Sequence, residues 1–354
     1  MFFLLALTSS EKVAPFPAIL FLYEVVFANL KRNPAPPNGL GWKKLIPYFS
    51  ISAVWVFLYI SKIGQRTEVL QTQYYQEGGI DNPLIQVPIA IVNYLKLIFW
   101  PKNLTLYHTD LTVSWAGYYF ILVIFLVFIG LIIYSYKKNK QLFFWLSFFV
   151  ISLLPTLTPL RISWVVAERY VYLGSIGIFV VVAMGIDWLA QKENLRLYIY
   201  SILAIIILAL SIRTILRNND WQNEDTLWFA TAKVSEAGPN IHNNLGDVYS
   251  RRGDFEKAAE EFKKSTEINP RYADGYHNLG MTYAQMGKTD LALENYQKAL
   301  SINQNLWQSY QQIAVIYFKQ GKFDLAKENI KKAIEINPND QISQEFLEQI
   351  EAKL

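Results

Sequence analysis

Few residues in this 354-residue chain combine a reactive side chain with a suggestive position. The run Ala167-Glu168-Arg169-Tyr170, with Tyr172 just after it, sits where an apolar stretch begins. A guanidinium fork matches two phosphate oxygens. Arg169 at a membrane edge could therefore hold a lipid-linked phosphate, with Glu168 and Tyr172 beside it. Charges at such an edge also simply anchor a helix, and the sequence leaves both readings open. Glu11 could hold such an arginine or accept a substrate proton. Arg66, Asp81, His108 and Asp110 fall in one long loop, each readable as loop polarity or as a catalytic group. Asn103-Leu104-Thr105 fits the glycosylation acceptor pattern. H-E-x-x-H, G-x-S-x-G and Walker signatures are missing. Gly39-Leu40-Gly41 lacks a third glycine and reads as a turn. With no cysteine, thiol nucleophiles, Cys-ligated zinc and iron–sulfur clusters are excluded. No metal site and no resident cofactor are expected.

The elements that must position these residues come in two unlike halves. Hydrophobic residues make up 52% of the chain and charged residues only 18%, which is greasier than a soluble domain. Residues 1–216 hold 17 Lys and Arg against 9 Asp and Glu, whereas residues 217–354 hold 16 against 20. A single soluble domain is excluded. The net charge of +4 is too diffuse to imply nucleic acid, and the basic residues instead flank apolar segments.

A bilayer core needs about 20 mostly apolar residues in a helix. Spans are expected at 45–63, 115–136, 170–190 and 195–216, with a fifth at 141–158 and a short sixth at 13–28. Residues 87–101 are too short to span and read as an interfacial or re-entrant helix. Loops 29–44, 137–140 and 191–196 together carry nine Lys and Arg. Alternation puts all three on one side, which the positive-inside rule makes cytoplasmic. Loop 64–114, loop 159–169 and everything after residue 217 then lie outside, and a bacterial inner membrane is the expected location. The opening MFFLLAL looks like the last turns of a helix whose beginning is missing, so a chain truncated relative to its relatives is expected.

The second half repeats with a period of 34. Gly253, Gly287 and Gly321 keep that spacing, as do Tyr249, Tyr283 and Tyr317, and Ala258, Ala292 and Ala326. This is the tetratricopeptide pattern of paired antiparallel helices. The repeats are 239–272, 273–306 and 307–340, after a junction helix within 217–238 and before a capping helix at 341–354. The fold class is therefore all-α: a polytopic helical bundle followed by an α-solenoid. Three repeats form a concave groove suited to a peptide or protein partner. Its lining should include Asn240, Asn243, Asp247, Asp274, His277, Met281, Gln308, Gln311 and Phe318, unless these are merely solvated surface. The Lys/Asn arrangement that clamps a C-terminal carboxylate is not met.

Several stretches resemble one family. SEKVAPFPAILFLYE over 10–24 is similar to the K-E…Y-E segment of the transmembrane and tetratricopeptide-repeat protein O-mannosyltransferases and their bacterial relatives. Asp81-Asn82-Pro83 with Trp100-Pro101, Leu153-Leu154-Pro155 followed by AERYVYL over 167–173, and Trp221 with Asp225-Thr226-Leu227-Trp228 resemble later parts of it in the same order. The resemblance implies a type C glycosyltransferase membrane fold that takes a sugar from a polyprenyl-phosphate donor. It would pass that sugar to an acceptor outside the cytoplasm, often a Ser or Thr hydroxyl. By position it carries Glu11, Glu168 and Arg169 over as donor-phosphate candidates. The family's catalytic acid lies in an upstream outer loop with no counterpart here, so the chain is expected to lack the group that activates the acceptor. Two other readings stand beside this one: a membrane-anchored scaffold for envelope proteins without chemistry, and a ligase or polymerase of surface polysaccharide.

Overall fold

The computed structural model describes residues 3, 13–27, 42–58, 83–102, 104–106, 113–157, 166–235 and 238–354. Glu11, Arg66, Asp81, Asn103, His108 and Asp110 lie outside the described residues. The described residues are helical, with no strand among them. They fall into two compact units, one built mainly from 78–222 and the other mainly from 223–354.

The first unit contains α1 (Phe16–Phe27), α2 (Pro83–Phe99), α3 (Trp115–Lys138), α4 (Lys140–Leu153), α5 (Glu168–Ala190) and α6 (Glu193–Asp220). Three of these, α3, α5 and α6, are long and apolar enough to cross a membrane. Their 24, 23 and 28 residues give lengths of about 34–42 Å at ~1.5 Å per residue, beyond the ~30 Å of a bilayer core. The span expected at 45–63 opens at Leu45, the end of a 3-10 turn over Trp42–Leu45, and is α-helical over 46–58, and residues 59–63 lie outside the described residues. The one expected at 141–158 stops as an α-helix at Leu153 and tightens into a 3-10 turn over Leu154–Thr156. Pro155 explains the stop, because it brings no N–H to continue the ladder.

Asn139 alone separates α3 from α4, and its side chain accepts the Leu142 N–H at 3.0 Å to start the second helix. Helices α4 and α5 cross at small residues. A Cβ on Gly177 would run into the carbonyl oxygen of Trp145, and one on Gly174 would meet Phe149 at 3.3 Å. Trp145 thus faces Gly177 while Phe149 and Ser152 face Gly174, so the two helices run antiparallel. Backbones can approach this closely only where both positions lack a side chain, as is common between helices in lipid. Helix α2 packs Ile91 and Tyr94 into a core with Phe128, Phe149, Leu153 and Ile178. The Tyr94 hydroxyl bonds the side chain of Thr156 and the backbone of Ala167. That burial fits an enclosed helix better than one lying flat on lipid.

The second unit contains α7 (Glu224–Ala232), three helix pairs and α14 (Gln341–Glu351). The pairs are α8 (Pro239–Arg251) with α9 (Phe255–Ile268), α10 (Ala273–Gln285) with α11 (Thr289–Ile302), and α12 (Trp307–Lys319) with α13 (Phe323–Ile336). Each first helix ends in the same way. Gly253, Gly287 and Gly321 adopt φ of +76°, +73° and +72°. The next residue's N–H returns to the carbonyl five residues back, at Tyr249, Tyr283 and Tyr317. This left-handed cap is strained for any residue with a Cβ, which fixes glycine at the 34-residue period. Inside each pair the crossing is matched for size. Gly246 faces Phe262 and Gly280 faces Tyr296, where a Cβ would stand 2.8 and 2.9 Å from the ring. In the third pair Ala314 packs in one cluster with the smaller Ile330.

Helix α7 opens with a capping box between Asn223 and Thr226 and docks on the first repeat. Asp225 pairs with Arg251 at 3.0 Å and Arg252 at 2.8 Å, and these hydrogen bonds hold its carboxyl below the usual range. Phe229 meets Tyr249 edge-on at 5.5 Å and carries the Arg252 guanidinium 4.9 Å from its ring centroid.

Candidate functional site

Helix α5 begins where α6 ends. The two are joined by the tight turn at Gln191–Lys192, so the start of α5 lies beside the last turn of α6. There Arg217 grips Glu168 with both arms of the fork, Nη2 to Oε1 at 2.7 Å and Nε to Oε2 at 3.3 Å. Its third nitrogen holds Asp220 at 3.0 Å. The Arg217 and Glu168 side chains are only 8% and 17% exposed. Arg213, one turn earlier, donates to the carbonyls of Pro101 and Lys102 at 3.2 and 2.9 Å and ties the end of α2 to the same place. The antiparallel arrangement gathers Lys137, Lys138, Lys140, Lys192 and Arg196 at the opposite end of α3–α6.

Beside the clasp is a cavity of about 460 Å³, lined by Ser152, Thr156, Glu168, Arg169, Tyr172 and Trp221 among others. Of the residues expected to bind a phosphate, Glu168, Arg169 and Tyr172 are therefore brought together. Their roles differ from one another. Both Glu168 oxygens are taken by Arg217, so this carboxylate builds the wall. The Arg169 guanidinium lies over Tyr170, 5.2 Å from its ring centroid, with Nη2 3.4 Å from the phenol oxygen. Tyr172 is 81% exposed at the rim. Ser152 donates to the Phe148 carbonyl at 2.7 Å and keeps its lone pairs as acceptors. Arg217 and Trp221 were not among the sequence candidates. Arg217 falls just past an apolar run and reads there as a flanking charge, and only a contact 49 residues away in sequence reveals its partner.

The solenoid spends several of its expected groove residues on itself. The Asn278 side-chain amide donates to the Asn243 side-chain oxygen Oδ1 at 2.9 Å, joining α10 to α8. His277 Nδ1 lies 2.8 Å from the Ser309 hydroxyl, joining α10 to α12. Gln311 reaches Asp340 and Ser343 at 3.2 Å, joining α12 to α14. Asn240 is buried, and Phe318 packs on Phe323 and Phe346 at 5.4 and 5.3 Å. Asp247 pairs with Arg251. Asp274 and Gln308 are half-buried, and Met281 is exposed. Burial raises the Asp274 carboxyl.

Burial also lowers His277, to about 4 from its ordinary 6.5. The folded state therefore holds this ring neutral while the unfolded chain takes up a proton. Stability from this site is full above pH 6.5 and is lost as the pH falls toward 4. His277→Gln should flatten the acid limb over that window, read by thermal unfolding at half-unit pH steps. An unchanged limb would assign it to other groups.

Comparison with known proteins follows the same two halves. A TPR repeat family profile matches residues 246–287, and a tetratricopeptide repeat profile matches 273–306 and 307–340. The mouse Protein O-mannosyl-transferase TMTC3 is 33% identical over 31% of this chain and 12% of its own length. The human TMTC3 is 27% identical over 58% of this chain and 25% of its own. The Drosophila melanogaster Protein O-mannosyl-transferase Tmtc2 is 33% identical over 36% and 14%. The chain thus spans a quarter or less of these relatives. Residues 217–354 are 138 of the 354, so the human match takes in part of the apolar half as well. Among solved structures, a crystal structure of MamA is similar at 28% identity and TM-score 0.30, over 32% of this chain and 66% of that one. The first TPR of Spaghetti (RPAP3) bound to an HSP90 peptide is similar at 19% identity and TM-score 0.31, over 32% and 90%. The protein is a membrane tetratricopeptide-repeat protein, and its relatives are the transmembrane and tetratricopeptide-repeat protein O-mannosyl-transferases.

Proposed function

We propose that this chain serves glycosyl transfer from a polyprenyl-phosphate sugar to a polypeptide, binding the donor at Arg169 and the acceptor through the repeats. The observation that carries the reading is the cavity at the charged end of α5 and α6, where Arg169 stands next to a carboxylate already neutralised by Arg217. Left unpaired, Glu168 would repel a phosphate. Clasped by Arg217, it does not oppose a phosphate brought to Arg169 in the cavity wall. In the transfer the C1–O bond to phosphate breaks with its electron pair leaving on the phosphate. A new C1–O bond forms to the acceptor hydroxyl. The hydroxyl proton is balanced by the released phosphate monoester, whose second ionisation lies near ~6.

Charge supports one side of the membrane for the cavity and the repeats. Five Lys and Arg at the far end of α3–α6 favour the cytoplasm. The Glu168 cavity and the solenoid then face outward, toward a periplasm if the host is bacterial. Protease added to intact spheroplasts should cleave the repeats, and full protection would reverse the topology. Arg169→Ala should weaken binding of a polyprenyl-phosphate hexose in nanodiscs by about tenfold or more, the loss of one charge-assisted contact of ~1.5–3 kcal/mol. Arg169→Lys should recover part of it. Unchanged affinity in Arg169→Ala would remove the phosphate role.

A further inference from the structure

A phosphate at Arg169 leaves one wall of the cavity without a use, and that wall is Trp221. We infer that Trp221 is the platform for the sugar ring of a glycosyl phosphate whose phosphate lies at Arg169. The inference rests on the phosphate role proposed above. A volume of about 460 Å³ falls within the ~300–1,000 Å³ of small-ligand sites. The polar groups in it suit a hydroxylated ligand: the Ser152 hydroxyl offers lone pairs, and the Tyr172 phenol stands at the rim. An indole face is electron-rich, and the C–H face of a pyranose is its electropositive complement. Trp221 is built to hold still. Its backbone N–H closes α6 on the carbonyls of Asn218 and Asn219. The Arg217 guanidinium lies 5.8 Å from the ring centroid, and Arg217 is itself fixed by Glu168 and Asp220. The indole still leaves 43% of the residue exposed. Cation, hydroxyl acceptor and anchored aromatic together describe one hexose carrying one phosphate.

The test uses the full chain in nanodiscs and three probes: a polyprenyl-phosphate hexose, the same polyprenyl phosphate without sugar, and free hexose 1-phosphate. The wild type should bind the sugar-bearing lipid about five- to tenfold tighter than the bare one, the worth of one aromatic contact. Trp221→Ala should erase that preference while leaving affinity for the bare lipid unchanged. Trp221→Phe should keep part of the preference and guards against a folding defect. Arg169→Ala should weaken both lipids by one factor. If Trp221→Ala lowers both lipids equally, or the wild type shows no preference, the platform is overturned while the phosphate role stands. If the wild type binds neither lipid, the phosphate role falls and the platform with it. Free hexose 1-phosphate competing as well as the lipid would overturn a lipid-borne source and assign the site to a soluble sugar phosphate.

Discussion

Arg217→Ala should be the most damaging single change in the apolar unit. It strands Glu168, a carboxylate whose side chain is only 17% exposed, without the fork that occupies both its oxygens. Removing one member of a buried pair typically costs about 3–5 kcal/mol, because the remaining charge stays desolvated. The N-terminal turn of α5 relieves part of this, since its free N–H groups favour a negative charge there. The pair itself is a different matter. Replacing Arg217 with Met and Glu168 with Leu together removes both charges and fills the space, and should recover most of the lost stability. Thermal unfolding of the three proteins in one detergent decides the matter. A melting point for Arg217→Ala equal to wild type would show that the clasp holds nothing.

Tyr296 should separate size from polarity in the solenoid. The ring is fully buried and packs against Gly280 at a crossing with no room for a Cβ. Tyr296→Ala empties that space and should cost about 3–5 kcal/mol, as aromatic truncations in cores do. The hydroxyl is another story. It is buried with no hydrogen-bond partner among the described residues, so it carries a desolvation cost without return. Tyr296→Phe should be neutral or stabilising by up to about 1 kcal/mol. Chemical unfolding of both variants would measure the contrast. A large loss in Tyr296→Phe would mean that the hydroxyl has a partner in solution.

The solenoid was readable because its geometry forces particular residues at a fixed interval. Only glycine takes φ near +73° at low cost, so Gly253, Gly287 and Gly321 announce the turns. The size match of Gly246 with Phe262 and Gly280 with Tyr296 repeats for the same reason. Long apolar spans are equally legible, since length and composition alone decide whether a helix can cross lipid. What the sequence hid depends on contacts across long separations. Arg217 meets Glu168 from 49 positions away, and nothing local marks either as the other's partner. Asn243, His277 and Gln311 carry groove-like positions and polar chemistry, yet the first two join one repeat to the next and Gln311 joins the last repeat to the closing helix. A position on a helix face says where a side chain starts, not which neighbour reaches it first.

The docking of α7 sets where the solenoid can be cut. A soluble fragment designed from the repeat period would start near residue 239. That cut would strip Asp225 from Arg251 and Arg252 and uncover the Tyr249 ring against which Phe229 lies. The first repeat would then present the Arg252 guanidinium without Asp225 beside bare aromatic surface, an invitation to self-association, while Arg251 would keep Asp247. Beginning at Asn223 retains the capping box and carries the solenoid's own lid into the fragment. The natural unit for expression, crystallisation or grafting is therefore longer than its repeats by one short helix.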